Sequence, residues 1–287
     1  MLSRIAFVTH AGRPDLADDD RLAAAEISRR GARVEAAVWD DPHVDWSGFD
    51  RVVLRSCWDY HLRLPEFLGW LGGLERAGAP VWNPPAVVRG NADKGYLADL
   101  AAGGVPVVAT MRVERGAAAD LASILDERGW TDAVVKPAVS ASAFLTRRVR
   151  REEAVEAQAD FEHLLALSAA LVQPFLPEVQ SGGEWSLLFF AGEYSHAVLK
   201  RPRAGDFRVQ TEHGGSTLAQ RPSPALVAQA RQVLEHIPGP WLYARVDGVE
   251  VDGTFLLMEL ELIEPSLFLA CDREAPARFA TAVLGPL

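Results

Sequence analysis

Four charged side chains on two strand-like segments near the C-terminal end carry the strongest chemical signal in this sequence. Arg245 and Asp247 lie two residues apart, and so do Glu259 and Glu261. Because alternate residues of a strand share a face, each pair points to one side of its strand. A three-residue loop between the strands sets Asp247 opposite Glu259, whereas a two-residue loop places Asp247 on the other face of the second strand. Three acids and an arginine that meet in this way offer oxygen ligands for Mg²⁺ bound together with phosphate.

The strand that carries the two glutamates is otherwise apolar. Odd-numbered residues share a face, so we expect Glu259 and Glu261 on the same side as Phe255. Leu257 and Ile263 belong to that side too, and the opposite face is wholly apolar. Such a strand is buried, and buried carboxylates are stable only beside a cation or a donor. The alternative is a half-exposed edge strand whose glutamates are solvated.

Two lysines at the ends of predicted elements are further candidates for binding an anion. Lys136 ends a short apolar strand and is followed by Pro137, which stops the strand, so its ammonium can point into a cleft. Lys94 begins a helix. Each would be a solvated surface residue if taken alone. The sequence has no Walker loop and no G-x-G-x-x-G motif, so a phosphate site here would depend on lysines and a metal ion.

The first part of the chain alternates strand and helix. Strands are predicted at residues 4–9, 34–39 and 51–56, and helices at residues 21–30 and 65–78. This alternation predicts a parallel sheet, whose ligands bind beyond the carboxyl ends of the strands. Those ends lead into His10 and into residues 55–60 (Arg-Ser-Cys-Trp-Asp-Tyr).

The pattern that follows residues 83–85 (Asn-Pro-Pro) is α+β. A helix is predicted at 93–102 and strands at 105–110, 133–136 and 171–174, with helices between them. Two hairpins come next, 185–191 with 194–200 and 242–251 with 254–263, separated by a helix at 223–236. We therefore predict an α/β N-terminal parallel-sheet domain, residues 1–88, followed by two α+β subdomains, residues 89–172 and 173–287.

Composition excludes several classes of protein. The 287 residues include 29 basic and 39 acidic ones, and the formal net charge of −10 argues against a nucleic-acid partner. The basic run at 147–151 is expected to end a solvated strand. No apolar run is long enough to span a membrane, and two cysteines are too few for a disulfide framework. We expect a cytoplasmic protein with no nucleic-acid and no membrane partner.

Six motifs in a fixed order resemble those of the ATP-grasp superfamily, in particular its glutathione synthetase and D-alanine–D-alanine ligase branch. They are residues 83–94, 105–110 (Val-Pro-Val-Val-Ala-Thr), 134–137 (Val-Val-Lys-Pro), 172–177 (Val-Gln-Pro-Phe-Leu-Pro), 245–247 (Arg-Val-Asp) and 258–261 (Met-Glu-Leu-Glu). The resemblance covers nearly the whole chain. It implies the ATP-grasp fold and an ADP-forming ligase that joins a carboxylate to an amine through an acyl phosphate.

The resemblance also implies a role for each motif residue. Contacts with ATP are implied for Lys94, Lys136, Gln173, Phe175, Leu176, Glu184 and Lys200, with Glu178 as a second choice for the ribose contact. Metal binding is implied for Asp247, Glu259 and Glu261, which would hold two Mg²⁺ ions, with Mn²⁺ as a substitute; family members usually have Asn where Glu261 stands. Catalytic roles are implied for Arg245, which would stabilise the charge of the intermediate, for Arg208 beside a loop over the reacting centre, and for Ser142.

One segment departs from the family pattern. The loop after the second lysine, residues 138–144 (Ala-Val-Ser-Ala-Ser-Ala-Phe), has no glycine. Ser140 and Ser142 can still offer hydroxyl and amide groups to phosphates. The alternative is a rigid loop that only covers the site.

The substrate is expected between the loops of the first domain and the acidic strands. Arg55 suits a substrate carboxylate and Asp59 suits an ammonium group. The full predicted substrate site is Arg55, Ser56, Trp58, Asp59, Tyr60 and His10. Alternatively, Trp58 and Tyr60 belong to the core and Asp59 caps the next helix. The segment 55–61 resembles that of the cyclo-ligases that close the D-cycloserine ring from an O-ureidoserine precursor, which implies a small amino-acid-like substrate.

Other activities share most of these motifs. A dipeptide or amino-acid amide ligase is the nearest alternative to ring closure. A carboxylate kinase would stop at the acyl phosphate, and a non-catalytic ATP-binding module would not turn over, although the lysines and acids kept together argue against such a module. Ligases of this branch are often dimers, so a homodimer is a further expectation.

Overall fold

The N-terminal unit is a parallel sheet with connecting helices. The structure is a computed structural model and describes residues 2–209 and 213–286. Strands β1 (Ser3–Thr9), β2 (Ala32–Val38), β3 (Arg51–Leu54) and β4 (Val81–Trp82) are parallel and lie in the order β2-β1-β3-β4. Helix α1 (Asp18–Arg29) connects β1 to β2, and α2 (Leu64–Arg76) connects β3 to β4. The predicted parallel sheet is confirmed.

An antiparallel sheet forms the middle of the chain. Two short helices, α3 (Pro85–Asn91) and α4 (Tyr96–Ala102), lead to it. Its strands are β5 (Met111–Val113), β6 (Asp132–Pro137), β7 (Arg147–Arg150) and β8 (Ala170–Pro174), in the order β5-β8-β6-β7. Helices α5 (Leu121–Arg128) and α6 (Ala154–Leu167) pack against it.

The structure departs from the sequence prediction at residues 105–110 and agrees with it at residues 147–150. Residues 105–110 are not a strand of this sheet: Pro106 cannot donate to a ladder, and the segment makes a single bridge, from Val107 to Leu257. The basic run at 147–151, expected at the end of a solvated strand, contains β7 itself, although its Arg-Arg-Val-Arg sequence lacks the usual apolar pattern. It lies at the sheet edge, where charged side chains are tolerated.

The C-terminal sheet has five antiparallel strands. After the short helix α7 (Glu178–Ser181) come β9 (Glu184–Phe190), β10 (Glu193–Arg201), β11 (Ser216–Ala219), β12 (Tyr243–Val251) and β13 (Thr254–Glu261), in the order β11-β10-β9-β12-β13. Helix α8 (Pro224–Leu234) lies between β11 and β12 in the chain, and α9 (Ala275–Leu284) follows β13. Both predicted hairpins are confirmed. Among the described residues, no helix has the length and hydrophobicity to cross a bilayer.

The β12–β13 hairpin pairs Asp247 with Glu259 as predicted, although its loop is one residue shorter than the loop that the prediction assumes. Its loop is the two residues 252–253 (Asp-Gly), which both have positive φ (50° and 78°), as in a type I′ turn. A two-residue loop alone would put Asp247 out of line with Glu259. A β-bulge at Met258 adds one residue to β13, so that Asp247 does lie opposite Glu259.

The same bulge changes which residues of β13 face the core. Phe255 and Leu257, before the bulge, are buried in the main core, and so is Leu260 after it. Glu259 and Glu261 line a cleft on the other side. The prediction that both glutamates share a face with Phe255 and Leu257 is therefore wrong, because an inserted residue shifts the alternation of the strand by one.

The buried cores link segments that are distant in the chain. Helix α9 packs on α1 and on the N-terminal sheet, where Phe279 meets Phe7 with ring centroids 6.3 Å apart. Helix α4 and Val105 pack in the main core with α8 and the C-terminal sheet. The middle sheet has a separate core with α5 and α6. Helix α4 thus shares a core with the C-terminal sheet, although the predicted boundaries assign it to the middle subdomain.

Replacing Gly248 by alanine is expected to destabilise the bulged hairpin. A Cβ at this position would lie 2.4 Å from the carbonyl oxygen of Leu256 and 2.6 Å from the ring of Phe255. Because backbone and core must then shift, we expect Gly248→Ala to lower the free energy of unfolding by about 1–3 kcal/mol in urea denaturation.

The matched control is Gly69→Ala in α2. No atom lies within 4 Å of a Cβ there, and alanine favours the helix, so this variant is expected to be as stable as the wild type or more stable. Equal stability of the two variants would contradict the close packing at the bulge.

Candidate active site

Residues of all three units line a single cleft. The middle sheet contributes β6 and β8, the C-terminal sheet contributes β9, β10, β12 and β13, and the N-terminal unit contributes the loop after β3. The predicted site residues in its wall are Lys94, Lys136, Ser142, Gln173, Phe175, Leu176, Glu184, Lys200, Arg208, Arg245, Asp247, Glu259, Glu261, Trp58 and Tyr60. The fold therefore brings the predicted phosphate, metal and catalytic residues together.

Asp247, on β12, is buried at the centre of a charged network. It accepts a hydrogen bond from the Ser186 hydroxyl at 2.6 Å, and ion pairs join it to Arg245 at 2.9 Å and to Lys200 at 3.3 Å. Burial opposes its ionisation, but Arg245 and Lys200 outweigh this effect and lower the pKa of Asp247. Asp247 is thus held as a carboxylate in a fixed orientation.

Glu259 and Glu261 reach the cleft from β13, each beside a cation. Lys94 lies 3.1 Å from Glu259, and the guanidinium of Arg245 donates to Glu261. Although burial opposes the charge, Lys94 and Lys136 lower the pKa of Glu259, whereas burial raises the pKa of Glu261 to about 7. Strand β13 does lie at the sheet edge, but its glutamates are paired with cations and not simply solvated.

Two of the buried lysines are held by protein groups. The ammonium of Lys94 donates to the carbonyl oxygen of Ser140 at 2.7 Å and to its hydroxyl at 3.2 Å. Lys200 lies 2.5 Å from Glu184 in addition to its pair with Asp247. Burial opposes the charge of Lys200, but these two acids outweigh it and raise its pKa.

Lys136 differs from the other lysines. It is 9 % exposed, and no described residue accepts a hydrogen bond from its ammonium or forms an ion pair with it. Burial lowers the pKa of Lys136. A buried cation without a partner is costly, so this position favours an anionic ligand in the cleft.

Backbone of residues 106–108 bonds to Leu257 on the free edge of β13, and side chains cover the part of that edge beyond the bulge. The Asn91 amide donates to the carbonyl oxygen of Leu260 at 2.8 Å and accepts from the N–H of Leu262 at 2.9 Å. The Tyr96 hydroxyl accepts from the N–H of Leu260 at 3.0 Å and donates to its carbonyl oxygen at 2.9 Å. These contacts fix the backbone on both sides of Glu261. Neither residue is among the predicted ones, because no periodicity marks a side chain that covers a strand edge.

The chain after β8 forms a wall that suits a flat, partly apolar group. Gln173 donates to the Thr110 hydroxyl at 2.8 Å, which fixes the end of β8. The ring of Phe175 is stacked by the guanidinium of Arg148 at 3.6 Å, and Leu176 continues the wall. Gln173, Phe175 and Leu176, for which ATP contacts are predicted, therefore lie along one wall of the cleft.

The glycine-free loop closes the cleft in an unusual backbone conformation. Ser142, Ala143 and Leu145 have φ of 50°, 55° and 50°, a region that residues other than glycine rarely adopt. Ser142 is exposed and lines the cleft. Arg208 lines it as well and pairs with Asp206 at 3.0 Å, so its guanidinium has a partner within the protein.

The acids suit a metal ion only together with a ligand. The described residues contain no group of three or more acidic, histidine or cysteine side chains arranged to hold a metal ion, because the acids face cations. Asp247, Glu259 and Glu261 nevertheless supply the oxygen ligands that Mg²⁺ prefers. A phosphate ligand would pair with the lysines and the arginine and leave carboxylate oxygens for the metal. The residues therefore fit a magnesium nucleotide.

Comparison with known proteins identifies the family. Residues 5–83 match the family described as the N-terminal domain of D-cycloserine synthetase DcsG. Over 266 residues, which are 88 % of this chain and 88 % of the relative, the sequence is 35 % identical to the cycloserine biosynthesis protein DcsG of Streptomyces lavendulae. The chain belongs to the DcsG family.

Solved structures place this DcsG-family protein among the ATP-grasp ligases. It matches the crystal structure of D-cycloserine synthetase DcsG with a TM-score of 0.88 and 32 % identity, covering 98 % of both chains. A RimK domain ATP-grasp protein of Sphaerobacter thermophilus has the same fold, with a TM-score of 0.73 at 19 % identity over 99 % of this chain and 100 % of the other. The predicted ATP-grasp fold and the predicted class, an ATP-dependent ligase that forms C–N bonds, are confirmed.

In this DcsG-family ligase, Arg55 and Ser56 do not reach the cleft. Arg55 is 2 % exposed and donates to Asp20 at 2.9 Å and to the carbonyl oxygen of Pro265 at 2.9 Å. The Ser56 hydroxyl donates to the other oxygen of Asp20 at 2.7 Å. Their predicted contact with substrate is corrected here, because both side chains are used within the fold.

Asp59 and His10 also lie outside the cleft wall. Asp59 accepts hydrogen bonds from the Trp39 indole at 2.9 Å and from Arg63 at 2.8 Å, so both of its oxygens are engaged within the fold. Its side chain does not cap the next helix either. His10 lies against Trp58, with ring centroids 6.4 Å apart. The predicted substrate roles of Asp59 and His10 are thus corrected as well.

Glu264 is a cleft residue that the motif analysis does not include. It is 8 % exposed, lies in the cleft wall close to Tyr60, and its carbonyl oxygen accepts a hydrogen bond from the Trp58 indole at 3.1 Å. Burial raises the pKa of Glu264 to about 8. The sequence feature that could have identified Glu264 is its place as the third acid in residues 259–265 (Glu-Leu-Glu-Leu-Ile-Glu-Pro), just after the acidic strand.

Removing the Arg55 guanidinium is expected to destabilise the fold. Arg55→Met leaves the buried carboxylate of Asp20 without its cation, so we expect a loss of about 3–5 kcal/mol in the free energy of unfolding. Urea denaturation at pH 7 measures this loss. The control is Arg89→Met, which breaks the partly exposed pair with Glu75 and should cost about 1 kcal/mol or less. A raised substrate KM with unchanged stability would instead restore the predicted substrate contact.

Proposed function

We propose that this enzyme closes the ring of D-cycloserine, using ATP and an O-ureidoserine substrate. The supporting observation is that the likeness to D-cycloserine synthetase includes residues 5–83, the unit whose Trp58 and Tyr60 border the charged cleft. The lysines and acids of the cleft suit any ATP-dependent activation of a carboxylate. The part of the cleft that the N-terminal unit lines must therefore select this substrate over other carboxylic acids.

In the first step the substrate carboxylate is activated. One of its oxygens attacks the γ-phosphorus of ATP, ADP leaves, and an acyl phosphate forms. Lys94, Lys136 and Lys200 would neutralise the phosphate charge, so the two anions can approach each other. Asp247, Glu259 and Glu261 would hold Mg²⁺, which when bound withdraws charge from the phosphate oxygens.

In the second step the ring closes. The nitrogen of the N–O bond attacks the acyl carbon, inorganic phosphate leaves, and the nitrogen loses its proton. Arg245 lies beside Asp247 and Glu261, where its guanidinium would stabilise the charge on the tetrahedral intermediate. Water then cleaves the carbamoyl group, which leaves as carbon dioxide and ammonia, so one ATP and one water are consumed for each ring.

The remaining roles in the proposal follow from the resemblance and from positions in the cleft. Gln173, Phe175 and Leu176 would contact adenine and Glu184 the ribose, and the two loops with Ser142 and Arg208 would exclude water from the acyl phosphate. We further propose two Mg²⁺ ions, with Mn²⁺ as a substitute, and a homodimer in the cytoplasm.

A single-substrate assay tests the proposed function. Purified enzyme, ATP and Mg²⁺ are incubated with O-ureidoserine alone, with single amino acids and with pairs of amino acids, while ADP release is followed and products are read by mass spectrometry. We expect ADP release with O-ureidoserine alone and a cyclic product that has lost the carbamoyl group. Turnover only with pairs would mean an amide or dipeptide ligase. ADP release without a ring or an amide would mean a carboxylate kinase, and ATP binding with no turnover a non-catalytic module.

Glu259→Gln tests the proposed metal ligands. The amide keeps the shape of the side chain but removes a charge that a metal ion requires, so we expect kcat to fall by at least about 100-fold with little change in melting temperature. The matched control is Glu250→Gln, an exposed residue of the same hairpin, which should keep full activity. Near wild-type turnover of Glu259→Gln at low Mg²⁺ would overturn the assignment.

A further inference from the structure

An amino-acid substrate brings an ammonium group that the enzyme must pair with an anion. A protonated amine buried without a partner would cost most of the binding energy of a small ligand. The residue predicted for this role, Asp59, accepts from Trp39 and Arg63 and lies outside the cleft. The anion must therefore come from another acid of the cleft wall.

Four of the acids in the cleft wall are already paired with protein cations. Their pairs are Glu184 with Lys200, Asp247 with Arg245 and Lys200, Glu259 with Lys94, and Glu261 with Arg245. These acids belong to the phosphate and metal side of the cleft. Glu264 is different: within residues 2–209 and 213–286, no side chain or backbone group gives its carboxylate a hydrogen bond or an ion pair.

Glu264 lies where the substrate side of the cleft meets the acidic strand. It follows β13 by three residues, and the Trp58 indole, from the N-terminal unit, donates to its backbone carbonyl oxygen at 3.1 Å. Tyr60 and Ile263 line the cleft beside it. Arg245 and Glu261 are close enough to affect the charge of Glu264, so the two ends of one small amino acid could reach both groups.

The energetics of Glu264 favour a cationic ligand. Its side chain is buried, so its charged form is costly unless a cation compensates, and burial accordingly raises its pKa. The ammonium of a bound amino acid would supply that cation without using a protein side chain. Trp58 and Tyr60 line the same part of the cleft.

We propose that the carboxylate of Glu264 binds the α-ammonium group of the substrate and thereby selects amino acids over other carboxylic acids. The inference rests on the proposed function, which supplies an amino acid as the substrate. It assigns to Glu264 the role that the sequence motif suggests for Asp59. The substrate would then be held by its ammonium at one end while its carboxylate is activated at the other.

The test compares two ligands that differ only in this group. They are O-ureidoserine and its analogue with a hydroxyl in place of the ammonium, and their dissociation constants are measured by calorimetry with ADP and Mg²⁺ present. We expect the wild type to prefer the amino ligand by about 100-fold, and Glu264→Gln to lose most of that preference while ADP affinity stays the same. Asp59→Asn is the matched control and should keep the preference. Glu264→Asp, which keeps the charge, should retain part of it.

Each outcome bears on the inference. A wild type that binds both ligands equally, or a Glu264→Gln variant that keeps the preference, would overturn it, and loss of the preference in Asp59→Asn would return the role to Asp59. Because Glu264→Asp keeps the charge of the side chain, it carries the test if Glu264→Gln does not fold, and a preference equal to that of the wild type would overturn the inference. Ring closure by the wild type is assayed separately, so failure of the proposed function is distinguished from failure of the Glu264 assignment.

Discussion

The β-bulge at Met258 is the constraint on which the charged site depends. Strand β13 has to bury Phe255 and Leu257 in the main core and also present Glu259 and Glu261 to the cleft. A regular strand with this sequence would place all four on one face, and either the core or the site would be lost. One extra residue reverses the alternation between the two pairs. The bulge therefore lets the residues before it pack in the core and the glutamates after it face the cleft.

Without a ligand, most charges of the site are compensated by ion pairs within the protein, and Lys136 and Glu264 are the exceptions among the described cleft residues. Lys94 pairs with Glu259 and Lys200 with Glu184, while Arg245 pairs with Asp247 on its own strand and with Glu261 on β13. A magnesium nucleotide brings both phosphate oxygens and a cation, so each protein group exchanges one partner for another of the same sign. Such an exchange keeps buried charges compensated before and after binding, which limits the desolvation cost of assembling them. Three residues with positive φ, Ser142, Ala143 and Leu145, place backbone strain in the segment that covers the cleft.

The N-terminal unit is joined to the site through the segment after β13. The Tyr243 hydroxyl lies within hydrogen-bonding distance of two carbonyl oxygens, that of Leu54 at 2.6 Å and that of Ile263 at 2.7 Å. Arg55 donates to the carbonyl oxygen of Pro265, and the Trp58 indole donates to that of Glu264. These buried contacts hold the substrate side of the cleft at a fixed distance from the acids on β13. A ligase that activates one end of a small molecule and cyclises it onto the other needs this rigidity.

Local signals in the sequence by themselves determined the order of strands and helices, the parallel sheet, both hairpins, and the chemical types of the cleft residues. Apolar periodicity, turn residues such as Asp252-Gly253 and the spacing of lysines and acids are all read over a few positions. Only the tertiary structure decided the bulge, the covering of the β13 edge by Asn91, the burial of Arg55 and the open carboxylate of Glu264. Each of these depends on contacts across the chain, as between Arg55 and Pro265, which are 210 residues apart. No local pattern encodes which distant group a side chain will meet, so an arginine suited to a substrate carboxylate became instead the partner of Asp20.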